Sequence, residues 1–311
     1  MEQQHPLLVV LGPTASGKTK LAVRLADALQ GELISADSRQ VFKDMDIGTG
    51  KDLEEYQING KQIPYHLINI REAGGKYNVN EFKEDFYQIF ETLTAKKILP
   101  ILCGGTGMYM HSIFQDHEYT AIPVNEALRA ELRLKDIEGL RTLLKTYPPE
   151  LTRHADLSSF KRLIRAIEIA EYLSHHELVA VKRPSIQPFV VGLTSEVGLR
   201  RKKILRRLDD RLKEGMVEEV KGLLEKGVDP EVLTFYGLEY KFIVAYLSGT
   251  LNEAELKLQL GTAICQFAKR QMTFFRKMEK DGVDIHWFDT DQDPDQLFAQ
   301  VLDAYMQHKA V

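Results

Sequence analysis

The sequence predicts an α/β protein, a parallel sheet covered by helices on both faces and interrupted by a mostly helical insertion. Three observations carry that reading. Short apolar runs such as LLVVL (7–11) and ILPILCGG (98–105) are continuous rather than alternating, as strands buried on both faces are. Amphipathic stretches separate them, the first with Leu21, Leu25 and Leu29 at four-residue spacing. From about residue 115 to 188 the strand pattern stops and helical periodicity takes over. The core is therefore expected over 1–114 and 186–311, with the insertion at 115–185.

In chain order, 7–11 is the first strand and 17–30 the first helix. ELISAD (32–37) is the second strand and IPYHLINI (63–70) a third. Asn78 or Asn80 caps a helix whose core face is Phe82, Phe86, Phe90 and Leu93. The strand at 98–105 runs into a glycine turn. Two amphipathic helical runs, 125–147 and 160–173, lie in the insertion, with YPPE (147–150) as a break. PFVVGL (188–193) returns to the sheet, helices follow from 199 to about 277, and DIHWF (284–288) is a last edge strand.

A net charge of -4 draws the chain neither to nucleic acid nor to an acidic membrane, so any nucleic-acid site must be a local basic patch. The two cysteines, Cys103 and Cys265, are far apart, which points to a reducing compartment. MEQQHP lacks the basic start and apolar run of a signal peptide, and no apolar stretch reaches the ~18 residues of a membrane span. The expectation is a cytoplasmic protein without membrane attachment, and nothing demands more than a monomer. His66, His111, His154, His175 and His176 are scattered without zinc-motif context.

The most informative stretch is GPTASGKT (12–19). A glycine, four residues, then Gly-Lys-Thr between a strand and a helix is the spacing of a phosphate-binding loop, so the core is P-loop NTPase-like. The backbone of Gly12, Pro13, Thr14, Ala15, Ser16 and Gly17 would cradle an anion at a helix N-terminus. Lys18 would neutralise phosphate oxygens, and the Thr19 hydroxyl is placed to ligate Mg²⁺. The loop specifies a polyphosphate, not a nucleotide: NTP hydrolysis normally adds a strand-end Asp, and 98–105 offers no acid. The best strand-end acid is Asp37, a candidate base or metal ligand, or equally the cap of the next helix or turn. Thr106 in GGTGMY (104–109) offers a hydroxyl at the same end of the sheet, or a helix cap.

Three basic runs complete the picture. In 199–215, Ile204, Leu205, Leu208 and Leu212 form an apolar face and Arg200, Lys203, Arg207 and Arg211 another. AKRQMTFFRK (268–277) interleaves basic and aromatic residues, and FKRLIRAIE (160–168) is the third. Any one alone is an ordinary solvated face. Together, in a chain of charge -4, they suggest a localised surface for nucleic-acid phosphates.

With these residues in hand, GPTASGKT, ISADSRQVFKDMDIGT, YNVNEF, ILPILCGGTGMYM, FKRLIRAIEIAEYL, GMVEEVKGLL and QFAKRQMTFFRK occur in the order seen in tRNA dimethylallyltransferases. The sequence resembles that family, also called tRNA isopentenyltransferases, from about 7 to 289. The resemblance implies that the loop, residues 12–19, holds the diphosphate of dimethylallyl diphosphate, aided by Arg211 and Mg²⁺ on Thr19. The acceptor it implies is N6 of the adenosine just 3′ of the anticodon. That amine is a weak nucleophile, so it needs a base, and Asp37 is the candidate, with Thr106 orienting the amine. The family pattern places Asp37, Ser38, Arg39, Gln40, Lys161, Arg162, Leu163, Ile164, Arg165, Arg207, Lys269, Arg270, Gln271 and Arg276 against tRNA, with the insertion clasping the anticodon stem-loop. Five features depart from the pattern: Phe42 for Tyr, GTGKD (48–52) for Gly-Thr-Ala-Lys-Pro, Asn69 for Asp, Cys265 for Arg, and a shorter spacing at 211–215. A P-loop kinase, a prenyltransferase acting on free AMP, ADP or ATP, and a non-catalytic RNA binder are the alternatives.

Overall fold

A computed structural model describes residues 4–115, 118–153, 155–179 and 181–309; His154 and the first three residues of the N-terminal stretch lie outside them. Eight strands are described: β1 His5–Leu11, β2 Gly31–Ser35, β3 Gln57–Ile58, β4 Lys61–Gln62, β5 Tyr65–His66, β6 Leu99–Gly104, β7 Ile186–Thr194 and β8 Ile285–Asp289. Six of them form one parallel sheet in the order β5-β2-β6-β1-β7-β8. The chain divides into two compact units, Met1–Phe114 with Pro184–Val311, and Gln115–Arg183.

The continuous apolar run of β1 is explained by its place between β6 and β7. Leu7, Val9 and Leu11 face one layer and Leu8 and Val10 the other. The first layer contains Phe82, Phe86 and Phe90 of α2 (Val79–Ala95) and Met272, Phe275 and Met278 of a long helix, Glu253–Lys280. The second contains Leu21 and Leu25 of α1 (Lys18–Leu29) and Leu297 and Val301 of the C-terminal helix Pro294–Lys309. Asn78, not Asn80, caps α2: its side chain accepts from Asn80 and Glu81 N–H, and Glu81 reaches back to Asn78 N–H. After β6, α3 (Gly107–Phe114) closes the first part of the core.

The unit Gln115–Arg183 holds α4 (Glu126–Leu132), α5 (Ile137–Leu144), α6 (Pro149–Thr152) and α7 (Phe160–His175). It has its own core of Leu132, Leu140, Leu163, Ile164 and Ile167. Beside that core Arg129 makes a fork-to-fork pair with the buried Glu168, Nε to Oε1 and Nη2 to Oε2 both at 2.8 Å. After β7 come α8 (Val197–Lys213), α9 (Met216–Glu225), α10 (Pro230–Tyr236), α11 (Leu238–Leu247), the long helix α12 (Glu253–Lys280) and, beyond β8, α13 (Pro294–Lys309). Helices α8 to α12 enclose a third core against Val41, Phe42 and Met45.

The reading of the elements needs correction at three points. The third strand is only Tyr65–His66, not 63–70, because Leu67 and Asn69 take left-handed backbone (φ 62° and 58°) and leave the sheet. The antiparallel β3–β4 hairpin was missed; its Asn59–Gly60 turn, with φ 52° and 75°, is a strong hairpin signal in the sequence. Leu205, on the apolar face expected for α8, is 38% exposed, although it lies against Gly261.

At Gly104 the strand ends meet. A Cβ there would stand 2.3 Å from the Ala36 carbonyl oxygen. Gly104→Ala is therefore expected to lower stability by about 1–3 kcal/mol through overpacking, read as a lower midpoint in urea unfolding.

Candidate active site

The turn between β1 and α1 is the phosphate-type loop. A Cβ on Gly12 would lie 2.6 Å from Ser16 Oγ and 3.1 Å from Leu193 Cβ, so glycine is what lets the turn close against β7. Ala15 and Gly17 take left-handed backbone, φ 60° and 77°, and α1 starts at the next residue, Lys18. The loop is braced from a distance. Thr14 N–H donates to Gln271 Oε1 on α12, and Gln271 Nε2 donates to the Gly105 carbonyl, both at 2.9 Å. Ser16 Oγ is buried without a hydrogen-bond partner among the described residues.

The loop opens onto a cavity of about 750 Å³ lined by Lys18, Thr19, Asp37, Thr106, Arg207 and Arg211 among others. Burial lowers the pKa of the Lys18 ammonium, an effect opposed in part by Asp37. Asp37 follows β2 and Thr106 follows β6, adjacent strands of the sheet. Asp37 Oδ1 accepts the Arg39 N–H at 2.9 Å, so one carboxylate oxygen caps the turn. Thr106 Oγ1 accepts the Ser38 N–H at 3.1 Å, tying the two strand ends together and leaving the hydroxyl proton as a donor. Beneath them, burial pushes the Cys103 thiol up to about 12, which keeps it neutral.

The opposite wall is charged in both signs. Arg207 and Arg211 of α8 both donate to the carboxylate of Asp52, Arg211 Nη2 at 3.2 Å. Burial pushes the Asp52 carboxyl up, but the two arginines outweigh it and hold it below its ordinary value. Glu239, in the first turn of α11, is raised by burial. Arg39 Nη2 donates to the Phe235 carbonyl at 3.1 Å and its guanidinium lies over the Phe235 ring, 5.6 Å from the centroid. Phe235 is 70% exposed and Phe267 41%, so aromatic surface rims the cavity.

A family model described as IPP transferase matches residues 40–278. A tRNA dimethylallyltransferase of Bacteroides fragilis is 49% identical over 92% of this chain and 93% of its own length. The chain belongs to the tRNA dimethylallyltransferase family. Another member, from Porphyromonas gingivalis, is 47% identical over 96% of this chain and 99% of its own. The crystal structure of the tRNA isopentenylpyrophosphate transferase from Bacillus halodurans superposes with a TM-score of 0.72 at 29% identity, covering 98% of this chain and 96% of the other. Membership makes the protein a prenyl-transferring enzyme on a P-loop-like core, and the kinase alternative is not favoured.

The expected site residues sort by environment. Thr14, Ala15, Ser16, Gly17, Lys18 and Thr19 line the cavity; Gly12 and Pro13 are buried behind the loop. Arg207, expected against tRNA, shares the partner of Arg211 instead. Gln40 does not reach outward: Ser35 Oγ donates to its Oε1 at 2.8 Å and its Nε2 donates to the Gly50 carbonyl at 3.0 Å. Gln271 is the brace of the phosphate loop, not an exposed contact. Leu163 and Ile164 are core residues of the insertion, because helical periodicity turns them inward. Arg165 donates to the Tyr119 and Ile122 carbonyls at 2.9 and 2.7 Å, which makes it an internal tie. Lys161, Arg162, Lys269, Arg270 and Arg276 are exposed. Asn69 accepts from the buried Lys51, which accounts for its side chain without a metal. Sequence reasoning missed Asp52, Glu239 and Phe235, each in or beside a loop and close to its partners only after folding.

Two outcomes test this geometry. Gln271→Leu removes the partners of a buried N–H and a carbonyl, with an expected loss of about 1–3 kcal/mol per stranded group in urea unfolding. Cys103, neutral and buried, is expected to resist iodoacetamide at pH 8 in the folded protein and to react once unfolded, read by intact-mass spectrometry.

Proposed function

We propose that the protein transfers a dimethylallyl group from dimethylallyl diphosphate to N6 of the adenosine 3′-adjacent to the anticodon in tRNA, releasing diphosphate. The observation that carries this reading is one cavity holding a phosphate cradle and a strand-end carboxylate with a hydroxyl at its side. The cradle suits the diphosphate: Lys18 lies at the N-terminus of α1, and the guanidiniums of Arg207 and Arg211 enter from the far wall. Asp37 and Thr106 suit the amine. As the N6–C1 bond forms, the Asp37 carboxylate takes the N6 proton and Thr106 holds the amine in line. The C1–O bond breaks and its electron pair leaves on the diphosphate, where Lys18 and the loop amides stabilise it.

The donor set also fits Mg²⁺. Thr19 lines the cavity with a hydroxyl, and the partnerless Ser16 Oγ lies in the same loop. One hydroxyl leaves the other octahedral positions to diphosphate oxygens and water, as this cation prefers. When bound, Mg²⁺ would neutralise charge on the diphosphate.

An adenosine inside the anticodon loop must leave its stack to enter a cavity of this kind. The aromatic rim of Phe235 and Phe267 and the guanidiniums of Arg39 and Arg270 suit unstacked bases. The exposed Lys161, Arg162, Lys269, Arg270 and Arg276 suit backbone phosphates. No helix among the described residues is long and apolar enough to cross a membrane, and Cys103 and Cys265 are both free. The proposed setting is the cytoplasm, a reducing compartment in which such cysteines stay free.

The deciding experiment mixes protein, Mg²⁺ and labelled dimethylallyl diphosphate with an anticodon stem-loop, and with AMP in parallel. Label in the stem-loop alone is expected; label in AMP would make it a mononucleotide prenyltransferase. Asp37→Ala is expected to cut turnover by about 10²–10⁴ with donor binding nearly intact; wild-type turnover would remove Asp37 as the base. The stem-loop dissociation constant should rise steeply with salt, and a flat response would remove the basic surface from the reading.

A further inference from the structure

The loop 48–52 is fixed from below, from the side and from above. Beneath it Lys51 is 1% exposed, and its Nζ donates to the Phe42 carbonyl and to Asp46 Oδ1, both at 2.6 Å, and to Asn69 Oδ1. From the side, Glu219 of α9 accepts the N–H groups of Asp46 and Ile47 at 2.7 Å and of Gly48 at 3.0 Å. Above, Gln40 Nε2 donates to the Gly50 carbonyl. The two residues that flank Lys51 both take left-handed backbone, Gly50 at φ 62° and Asp52 at φ 46°. That conformation is uncommon for a residue with a side chain, although aspartate adopts it more readily than most.

The result of this anchoring is a shaped space. A Cβ on Gly50 would stand 1.7 Å from Arg211 Nη2 and 2.7 Å from Arg207 Nη2. The missing side chain is therefore the room in which both guanidiniums lie. Next to it, the Asp52 carboxylate receives a hydrogen bond from each. Arg207 and Arg211 stand one helical turn apart on α8, where like charges repel. Lys18 adds a third cation to the same cavity. Left alone, two long side chains of one charge would splay apart and sample many rotamers.

We propose that Asp52 is a positioning residue for the donor: it draws Arg207 and Arg211 together over Gly50 so that the diphosphate meets two guanidiniums already in place. This deepens the proposed reaction and rests on it for the identity of the anion. The carboxylate does not touch the reacting atoms; it acts through the arginines. Preorganisation of this kind raises affinity by reducing the ordering that binding requires. The gain outweighs the opposing effect of one negative charge near an anion, because both guanidiniums carry donors left over for the diphosphate.

The test compares wild-type protein with Asp52→Ala, Asp52→Asn and Gly50→Ala. Asparagine tolerates left-handed backbone and keeps the shape of the loop, so Asp52→Asn removes the charge even where alanine disturbs folding. Two measurements are made: calorimetric binding of inorganic diphosphate with Mg²⁺, and donor and stem-loop KM with kcat in the transfer assay. In each variant the diphosphate Kd and the donor KM are expected to rise about tenfold while the stem-loop KM stays put. A purely structural role would instead lower the melting temperature and leave the donor KM unchanged. Unchanged or tighter diphosphate binding in a folded Asp52→Asn protein would overturn the proposal, and tighter binding would make Asp52 a competitor of the diphosphate. Wild-type protein that binds diphosphate yet transfers nothing would sink the proposed reaction alone, with the binding series still deciding the role of Asp52.

Discussion

In the parallel register that pairs Ser35 with Cys103 and Leu11 with Gly104, strands β2, β6 and β1 finish at one level of the sheet. Each then turns out with a different group: the carboxylate of Asp37, the hydroxyl of Thr106 and the cradle of residues 12–17. That register is strongly specified. β1 is buried on both faces, and a one-residue slip would exchange its two side-chain sets between layers already filled by α2 and α12 on one side and α1 and α13 on the other. The groups proposed for the chemistry therefore stand on short turns from a rigid frame, which is what accurate placement requires. Ligands in open parallel sheets bind at this end of the strands for the same reason.

Charge is arranged within the cavity, not over the molecule. A chain of net charge -4 gathers Lys18, Arg207 and Arg211 around one space and sets Asp37, Asp52 and Glu239 among them. Burial works on these groups in opposite directions, lowering Lys18 and raising Glu239. Over the whole lining, basic residues outnumber acidic ones by eight to four, an excess that favours an anion in the cavity.

The sheet was legible because its strands are buried on both faces, which leaves continuous apolar runs, and because the glycine spacing of the loop is a chemical requirement. Periodicity located the helices and turns Leu163 and Ile164 inward; it is the family resemblance, which carries 161–165 over as one run, that does not separate them from the exposed Lys161 and Arg162. IPYHLINI is apolar enough for a strand, but two left-handed residues end it after Tyr65–His66. Asp52 and Arg207 are separated by 155 positions, and nothing in the local sequence of either announces the other. The family resemblance places Gln40 and Gln271 against tRNA, whereas their amides are engaged within the protein, Gln40 with Ser35 Oγ and the Gly50 carbonyl and Gln271 with Thr14 N–H and the Gly105 carbonyl. A polar side chain in a motif says that a hydrogen bond is needed; the fold decides on which side of the surface it is made.

The brace made by Gln271 has a thermodynamic consequence. Its amide grips Thr14 of the phosphate loop and Gly105 beside Thr106, and the same helix, α12, presents Lys269, Arg270 and Arg276 on its exposed side. Any ligand that steadies α12 from outside also steadies the amide that shapes the anion cradle, and an anion in the cradle steadies α12 in return. Coupling of this kind is reciprocal: whatever factor one ligand adds to the affinity of the second, the second adds to the first. A ligand in the cradle and a ligand on the outer side of α12 would thus be coupled through one glutamine, without touching the same atom.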